Sequence, residues 1–163
     1  MGAMPLFRVG GLRLMEGAFE ARPICRHSLA AAVAVLRLGV PDASVQACKA
    51  LCQRDRRGGP KPGALMGVFD RRDYVHAVFR ARMEPVLQGG SRLKIYDLVL
   101  SDAIAALFVS AIVDALEGYA RAMGCDHLTV AAPQGNEFNS VPLPSVLESR
   151  GFGHHGLLMG RRL

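Results

Sequence analysis

From Arg92 to the carboxyl end the sequence switches repeatedly between a two-residue hydrophobic period and one of about 3.6 residues, and few folds accommodate that switching. Arg92 to Leu100 is apolar and β-branched and follows Gly89-Gly90, which predicts a strand. Asp102 is a good helix N-cap, and Ala103 to Met123 runs without proline, rich in Ala, Leu and Ile, to Gly124 at the position after a helix end. Cys125 to Ala132 reads as a second strand, Leu143 to Arg150 as a short helix ended by Gly151, and Gly156 to Leu163 as a last strand. A helix between two strands of one sheet predicts a right-handed crossover.

The amino-terminal half adds elements in a compatible order. Leu6 to Met15 is expected to form a first strand, although Gly10-Gly11 interrupts it. Ser28 is placed to cap a helix over Leu29 to Leu38, ended by Gly39 and Pro41, and Asp42 or Ser44 to cap another over Val45 to Arg54. Ala64 to Asp70 and Tyr74 to Arg82 read as an antiparallel pair turning at Asp70-Arg-Arg-Asp73, the second run alternating Val75, Ala77, Phe79, Ala81 against His76, Val78, Arg80, Arg82. The expected architecture is α/β (α+β): a mixed central sheet flanked by helices, in the order β-α-α-β-β-β-α-β-α-β. Residues 5–163 are expected to form one domain, and Met1 to Met4 is assigned no function.

With 163 residues, half of them hydrophobic and 21% charged, the chain has the material for a sizeable core and lacks the composition of a disordered protein. The longest nearly uncharged run, Ala103 to Val113, is too short to cross a bilayer. No secretory signal pattern opens the chain, and Cys25, Cys48, Cys52 and Cys125 form no Cys-x-x-Cys pair, so no zinc site or disulfide framework is read and a reducing, cytoplasmic setting is expected. The net charge of +6 favours anionic partners. No basic–aromatic motif accompanies it, so nucleic acid is not the favoured one. Arg54, Arg56, Arg57 and Lys61 lie in a Gly/Pro-rich loop that reads either as a solvated turn or as a contact for phosphate or an acidic partner.

The element order, with the wording of Asp114-Ala-Leu-Glu-Gly-Tyr-Ala-Arg-Ala-Met-Gly-Cys-Asp-His-Leu-Thr-Val130, Leu147-Glu-Ser-Arg-Gly-Phe152 and Leu157-Leu-Met-Gly-Arg-Arg-Leu163, resembles the GNAT superfamily of N-acetyltransferases. The resemblance covers about the last 70 residues in wording, and the rest by element order alone. It implies transfer of an acetyl or acyl group from acetyl-CoA to an amine, or, if catalysis has been lost, a regulatory or protein-interaction module on the same fold. A homodimer is compatible with either. In the family, a Gln/Arg-x-x-Gly-x-Gly/Ala loop at the start of the long helix holds the cofactor pyrophosphate, using free helix N–H groups and glycines that let the backbone come close. Ungapped alignment from Asp114 puts Ile104 at the cationic position and Leu107 and Val109 at the glycine positions. Leu147 stands where the family has its general-acid Tyr, and a leucine cannot protonate a thiolate.

The resemblance then suggests site residues. Leu98, Val99 and Leu100 are expected to pair strand-like with the pantetheine arm. Ala105, Ala106, Leu107, Phe108 and Val109 occupy the phosphate end of the helix, where their apolar side chains either fill that pocket or face a partner protein. Asn136 lies after the fifth strand, where it can hydrogen-bond a pantetheine amide or simply form a turn with Gly135. His76 and Asp97, on neighbouring predicted strands, are the candidates for deprotonating the amine; as ordinary strand residues they need no such role. His154-His155 lacks a third ligand nearby, and no metal site is assigned.

Overall fold

The computed structural model describes residues 17–52, 62–101, 106–131 and 143–154. Its strands are β1 (Phe19–Pro23), β2 (Leu65–Asp70), β3 (Val75–Pro85), β4 (Ser91–Leu100) and β5 (His127–Val130), and its helices α1 (Leu29–Gly39), α2 (Val45–Leu51), α3 (Ala106–Ala122) and α4 (Leu143–Ser149). The five strands lie in sequence order, β1 to β4 antiparallel and β5 parallel to β4. The expected mixed sheet is present, and α3 makes the crossover that a parallel pair requires. The expected strands at Leu6 to Met15 and Gly156 to Leu163 fall outside the described residues.

Alternation along the strands feeds a core on each face of the sheet. Met66, Val68, Phe79, Leu93, Ile95, Leu98 and Leu100 pack with Val109, Ile112, Val113 and Leu116 of α3, while Leu65, Phe69, Val78 and Val99 pack with Ala32, Val33, Val35 and Leu36 of α1. A sheet covered on both faces explains why Val78 and Val99 are as apolar as their neighbours. The spacing Leu93, Ile95, Leu98, Leu100 contains one three-residue step, which a regular strand would not keep on one face. A β-bulge absorbs it: the register passes from Arg80↔Tyr96 to Val78↔Val99, so Phe79 faces both Asp97 and Leu98. Asp97 takes φ 54 there, a left-handed conformation that Asp tolerates better than most residues.

Local chemistry sets the helix ends. Ser44 caps α2, its hydroxyl accepting from Ala47 N at 3.4 Å. Ser28 stands at the N-cap of α1 but makes no side-chain cap bond, because its hydroxyl is engaged with Cys25. The α2 helix ends at Leu51, short of the expected Arg54, and β5 is two residues shorter at each end than expected. Pairing continues one residue beyond it, with Ala131 N donating to Ile95 O at 2.8 Å. Gly39 ends α1 directly over β4, where an added Cβ would sit 2.8 Å from Val99 Cγ2, so this close approach requires glycine. The Leu147–Phe152 segment is a Schellman stop. Gly151 N donates to Glu148 O and Phe152 N to Leu147 O, both at 3.0 Å, with Gly151 at φ 83 and Phe152 packed on the core beside buried Leu147.

β1 is an element that the sequence pattern did not assign. It is short, carries Glu20 and Arg22, and ends in Pro23, which suits an edge strand. Phe19 and Ala21 nonetheless alternate inward against the α3 face. Among the described residues no helix is long and apolar enough to cross a membrane.

Candidate active site

The geometry of β4 controls the candidate site. Ser101 N donates to His76 O at 2.8 Å, so by the two-residue period the amide groups of Val99 also face β3. Those of Leu98 and Leu100 then face the opposite edge. The β4–β5 ladder runs from Arg92↔His127 to Ile95↔Val130 and ends with the bond from Ala131. Among the described residues, therefore, no strand lies beside the Leu98 and Leu100 amides on that edge. The Leu98 and Leu100 side chains are buried against α3, leaving an edge of backbone donors and acceptors over an apolar floor. Of the three predicted pantetheine positions, Leu98 and Leu100 turn their backbone amides to an edge with no strand among the described residues, whereas Val99 is committed to Val78 and its side chain to α1.

Asp97 sits at the bulge next to that edge. Its side chain is 52% exposed and lies 3.4 Å from Arg80 Nη1. Arg80 is held in turn by Gly63 O, to which its Nε donates at 3.1 Å, and by the Tyr96 ring, whose centroid is 4.8 Å from its Cζ. Alternation puts Arg80 with Val78 on the α1 face. A carboxylate held by one long contact, at a backbone conformation uncommon for a non-glycine residue, is a candidate for function.

His76 is elsewhere. It is the extra residue of a second bulge, between Val68↔Ala77 and Phe69↔Val75. Its ring stands edge-on to Phe19, 5.2 Å between centroids, and Phe19 meets Phe108 of α3 at 6.0 Å. His76 thus lies on the α3 face, opposite Asp97, and the two do not form a pair. Its partner is Asp70, 2.9 Å from Nε2 to Oδ2. Asp70 Oδ1 also accepts from Arg72 N at 2.8 Å and Tyr74 N at 3.0 Å, closing the β2–β3 turn. Burial pushes the Asp70 pKa up, but the hydrogen bonds from His76, Tyr74 and Arg72, with the charge on His76, outweigh it and hold it below the ordinary 3.8. A depressed folded-state pKa contributes stability that is present above the unfolded-state value and lost as pH falls through the folded one. Acid unfolding of Asp70→Asn, followed by circular dichroism, is therefore expected to depend less on pH below about 4 than that of the parent; equal slopes would remove this linkage.

In the first turns of α3, Phe108 is partly buried on the core and Val109 wholly so, which makes Val109 a packing residue at the position where the resembled family has a glycine. The first turn of α3, which opens with Ala106 and Leu107, contains no acidic residue that would repel an anion. Ile104, Ala105 and Asn136 fall outside the described residues. Leu147, at the family's acid position, is 6% exposed and belongs to the core. Arg150, which sequence reasoning did not single out, fastens α4 to α3: Nη1 donates to Ser110 Oγ at 2.8 Å, and Nη2 pairs with Asp114 and reaches Glu117 Oε1 at 3.4 Å. Ser110 is thereby an acceptor for Arg150, which gives it a structural role. His154 pairs with Glu148 at 3.1 Å on the surface.

A sheet in this order, crossed by α3, has the fold of the GNAT-like acetyltransferases. Among similar solved structures are a transcriptional regulator from Bacillus halodurans C-125 (TM-score 0.64, 19% identity, covering 88% of this chain and 99% of that one) and an acetyltransferase from Trypanosoma brucei (0.60, 20%, 89% and 99%). An aminoglycoside antibiotic 6'-N-acetyltransferase from Acinetobacter baumannii is also similar (0.59, 15%, 89% and 99%). No protein-family model matches the sequence, and no curated protein matches it.

Proposed function

We propose that this protein is an N-acyltransferase that uses acetyl-CoA and an amine acceptor. The observation that carries the reading is the pair of backbone positions Leu98 and Leu100, beside the Asp97 bulge, on an edge where no strand lies among the described residues. The amides of a pantetheine arm fit such an edge, because each can exchange strand-like hydrogen bonds with it over the apolar floor of Leu98 and Leu100. Acetyl-CoA, when bound, supplies an acyl carbon already activated as a thioester. Asp97 takes the proton from the acceptor nitrogen, with Arg80 keeping the carboxylate at the bulge. Leu147 delivers no proton, so the catalytic contribution of the chain is proton removal and alignment of the two reactants. The similarity to solved acetyltransferases, an aminoglycoside 6'-N-acetyltransferase among them, supports this reading at the level of reaction class.

Thermal unfolding with and without acetyl-CoA tests the cofactor. A ligand that binds the folded state alone, at about 100 times its dissociation constant, adds about 2.7 kcal/mol. A clear upward shift is expected with acetyl-CoA and with desulfo-CoA, and none with ATP. An unchanged transition with either CoA compound, in a well-folded sample, sinks the acyltransferase and leaves a protein-interaction module on this fold. An amine screen that follows free-thiol release then identifies the acceptor class.

A further inference from the structure

The sheet face that carries α1 divides into two halves of opposite character. Val78 and Val99 lie in its upper half, buried beneath α1. Further along β3, and earlier on β4 and β5, the positions that alternate onto this face are polar. The ladders set them in rows: Arg80 opposite Tyr96, Arg82 opposite Lys94, and Glu84 opposite Arg92, whose neighbour on β5 is His127. None of them is buried, and Arg82 and His127 are exposed.

The middle row is the informative one. Arg82 and Lys94 stand directly opposite each other in an antiparallel ladder, where Cβ atoms are about 4.5–5.5 Å apart and like charges destabilise the pair. Neither has an ion pair among the described residues. The nearby carboxylates are placed elsewhere. Asp97 lies 3.4 Å from Arg80, Glu84 stands opposite Arg92, and Asp126 packs against Gly90 in the β3–β4 turn. Two adjacent cations on an exposed face add nothing to packing and cost stability by repulsion. An anion held between them reverses that sign.

We propose that this half of the sheet face binds an acidic polypeptide segment in extended conformation. The Arg82–Lys94 and Arg92–His127 rows are two residues apart, about 6.8 Å along the strands. An extended chain presents alternate side chains at the same interval. One carboxylate therefore meets Arg82 and Lys94 while the second residue along meets Arg92 and His127. The guanidinium forks of Arg82 and Arg92 suit bidentate donation to carboxylates. A single-stranded nucleic acid is anionic too, but such strands are held by base stacking on aromatic rings as well as by charge. Tyr96 is the one aromatic in these rows, and its ring already carries the Arg80 guanidinium, 4.8 Å from the centroid. The face offers charge without a stacking platform, and that favours carboxylates.

The test is fluorescence anisotropy of a labelled oligoglutamate peptide titrated with the full chain, beside labelled oligothymidylate and oligolysine. Oligoglutamate is expected to bind more tightly than oligothymidylate and to release as ionic strength rises, and oligolysine is expected not to bind. Arg82→Glu turns the like-charge pair with Lys94 into one of opposite charge. Its melting temperature should therefore equal or exceed the parent's, while oligoglutamate affinity falls about tenfold. Arg71→Glu, an equal charge change on the exposed β2–β3 turn, should leave the affinity within about twofold of the parent. Absent oligoglutamate binding overturns the proposal, and so does oligolysine binding of equal strength. An affinity that Arg82→Glu leaves unchanged, or that Arg71→Glu lowers equally, overturns it as well. Tighter binding of oligothymidylate also overturns it and makes the face a nucleic-acid surface. No arm uses acetyl-CoA, so the outcome is independent of the acyltransferase reading.

Discussion

Asp97→Asn is expected to lower kcat for acyl transfer by about a hundredfold or more, with little change in acetyl-CoA affinity, because a positioned general base contributes about 10²- to 10⁴-fold. Asparagine is nearly isosteric, tolerates the left-handed backbone of the bulge, and keeps an oxygen for Arg80, so the substitution removes basicity and little else. A thermal shift with acetyl-CoA that survives in the variant separates lost chemistry from lost binding. Asp97→Ala, by contrast, both releases Arg80 and strains the bulge, and is expected to reduce melting temperature as well as rate. If Asp97→Asn turns over at the parental rate, Asp97 is not the base. His76 does not then take its place, because it lies on the other face of the sheet and is bound to Asp70.

Whether the sequence gives the geometry away depends on how regular each strand is. The order from β2 to α4 follows from alternation, helical runs and their stops, and Leu147–Phe152 is legible as both a family motif and a helix terminator. The step from Ile95 to Leu98 is a written sign of the β4 bulge, since apolar residues two, three and two apart stay on one face only if a residue is inserted. The inserted residue in β3 turns His76 toward Phe19 on the α3 face, and the one in β4 leaves Asp97 beside Arg80, so the two candidates do not share a site. Neither strand's spacing announces this for a histidine and an aspartate on their own. β1 is barely legible in the sequence, because five residues with two charges and a terminal proline carry little pattern, although Phe19-Glu-Ala-Arg22 does alternate. The Cys25–His27–Ser28 cluster carries no spacing motif at all. A turn between β1 and α1 creates it.

The bulge that presents Asp97 and Leu98 is itself supported from below by one side chain, and this leads to the second large effect. Phe79 is 0% exposed, faces both Asp97 and Leu98 across the β3–β4 ladder, and packs in the α3-side core. Phe79→Ala is expected to cost about 3–5 kcal/mol in urea unfolding, from lost transfer free energy plus an incompletely collapsed cavity. That is a large part of the stability of a typical domain. Because the cavity opens under the bulge, the acetyl-CoA-induced shift should also shrink in whatever fraction remains folded. Phe79→Leu keeps most of the apolar volume and should lose much less of both. The decisive comparison is with Ile112→Ala, an equally buried substitution on α3. If Ile112→Ala destabilises the protein comparably and also erases the acetyl-CoA response, Phe79 is ordinary core. If the response fails only in Phe79→Ala, the floor of the bulge, rather than global stability, holds the Leu98–Leu100 edge in its binding geometry.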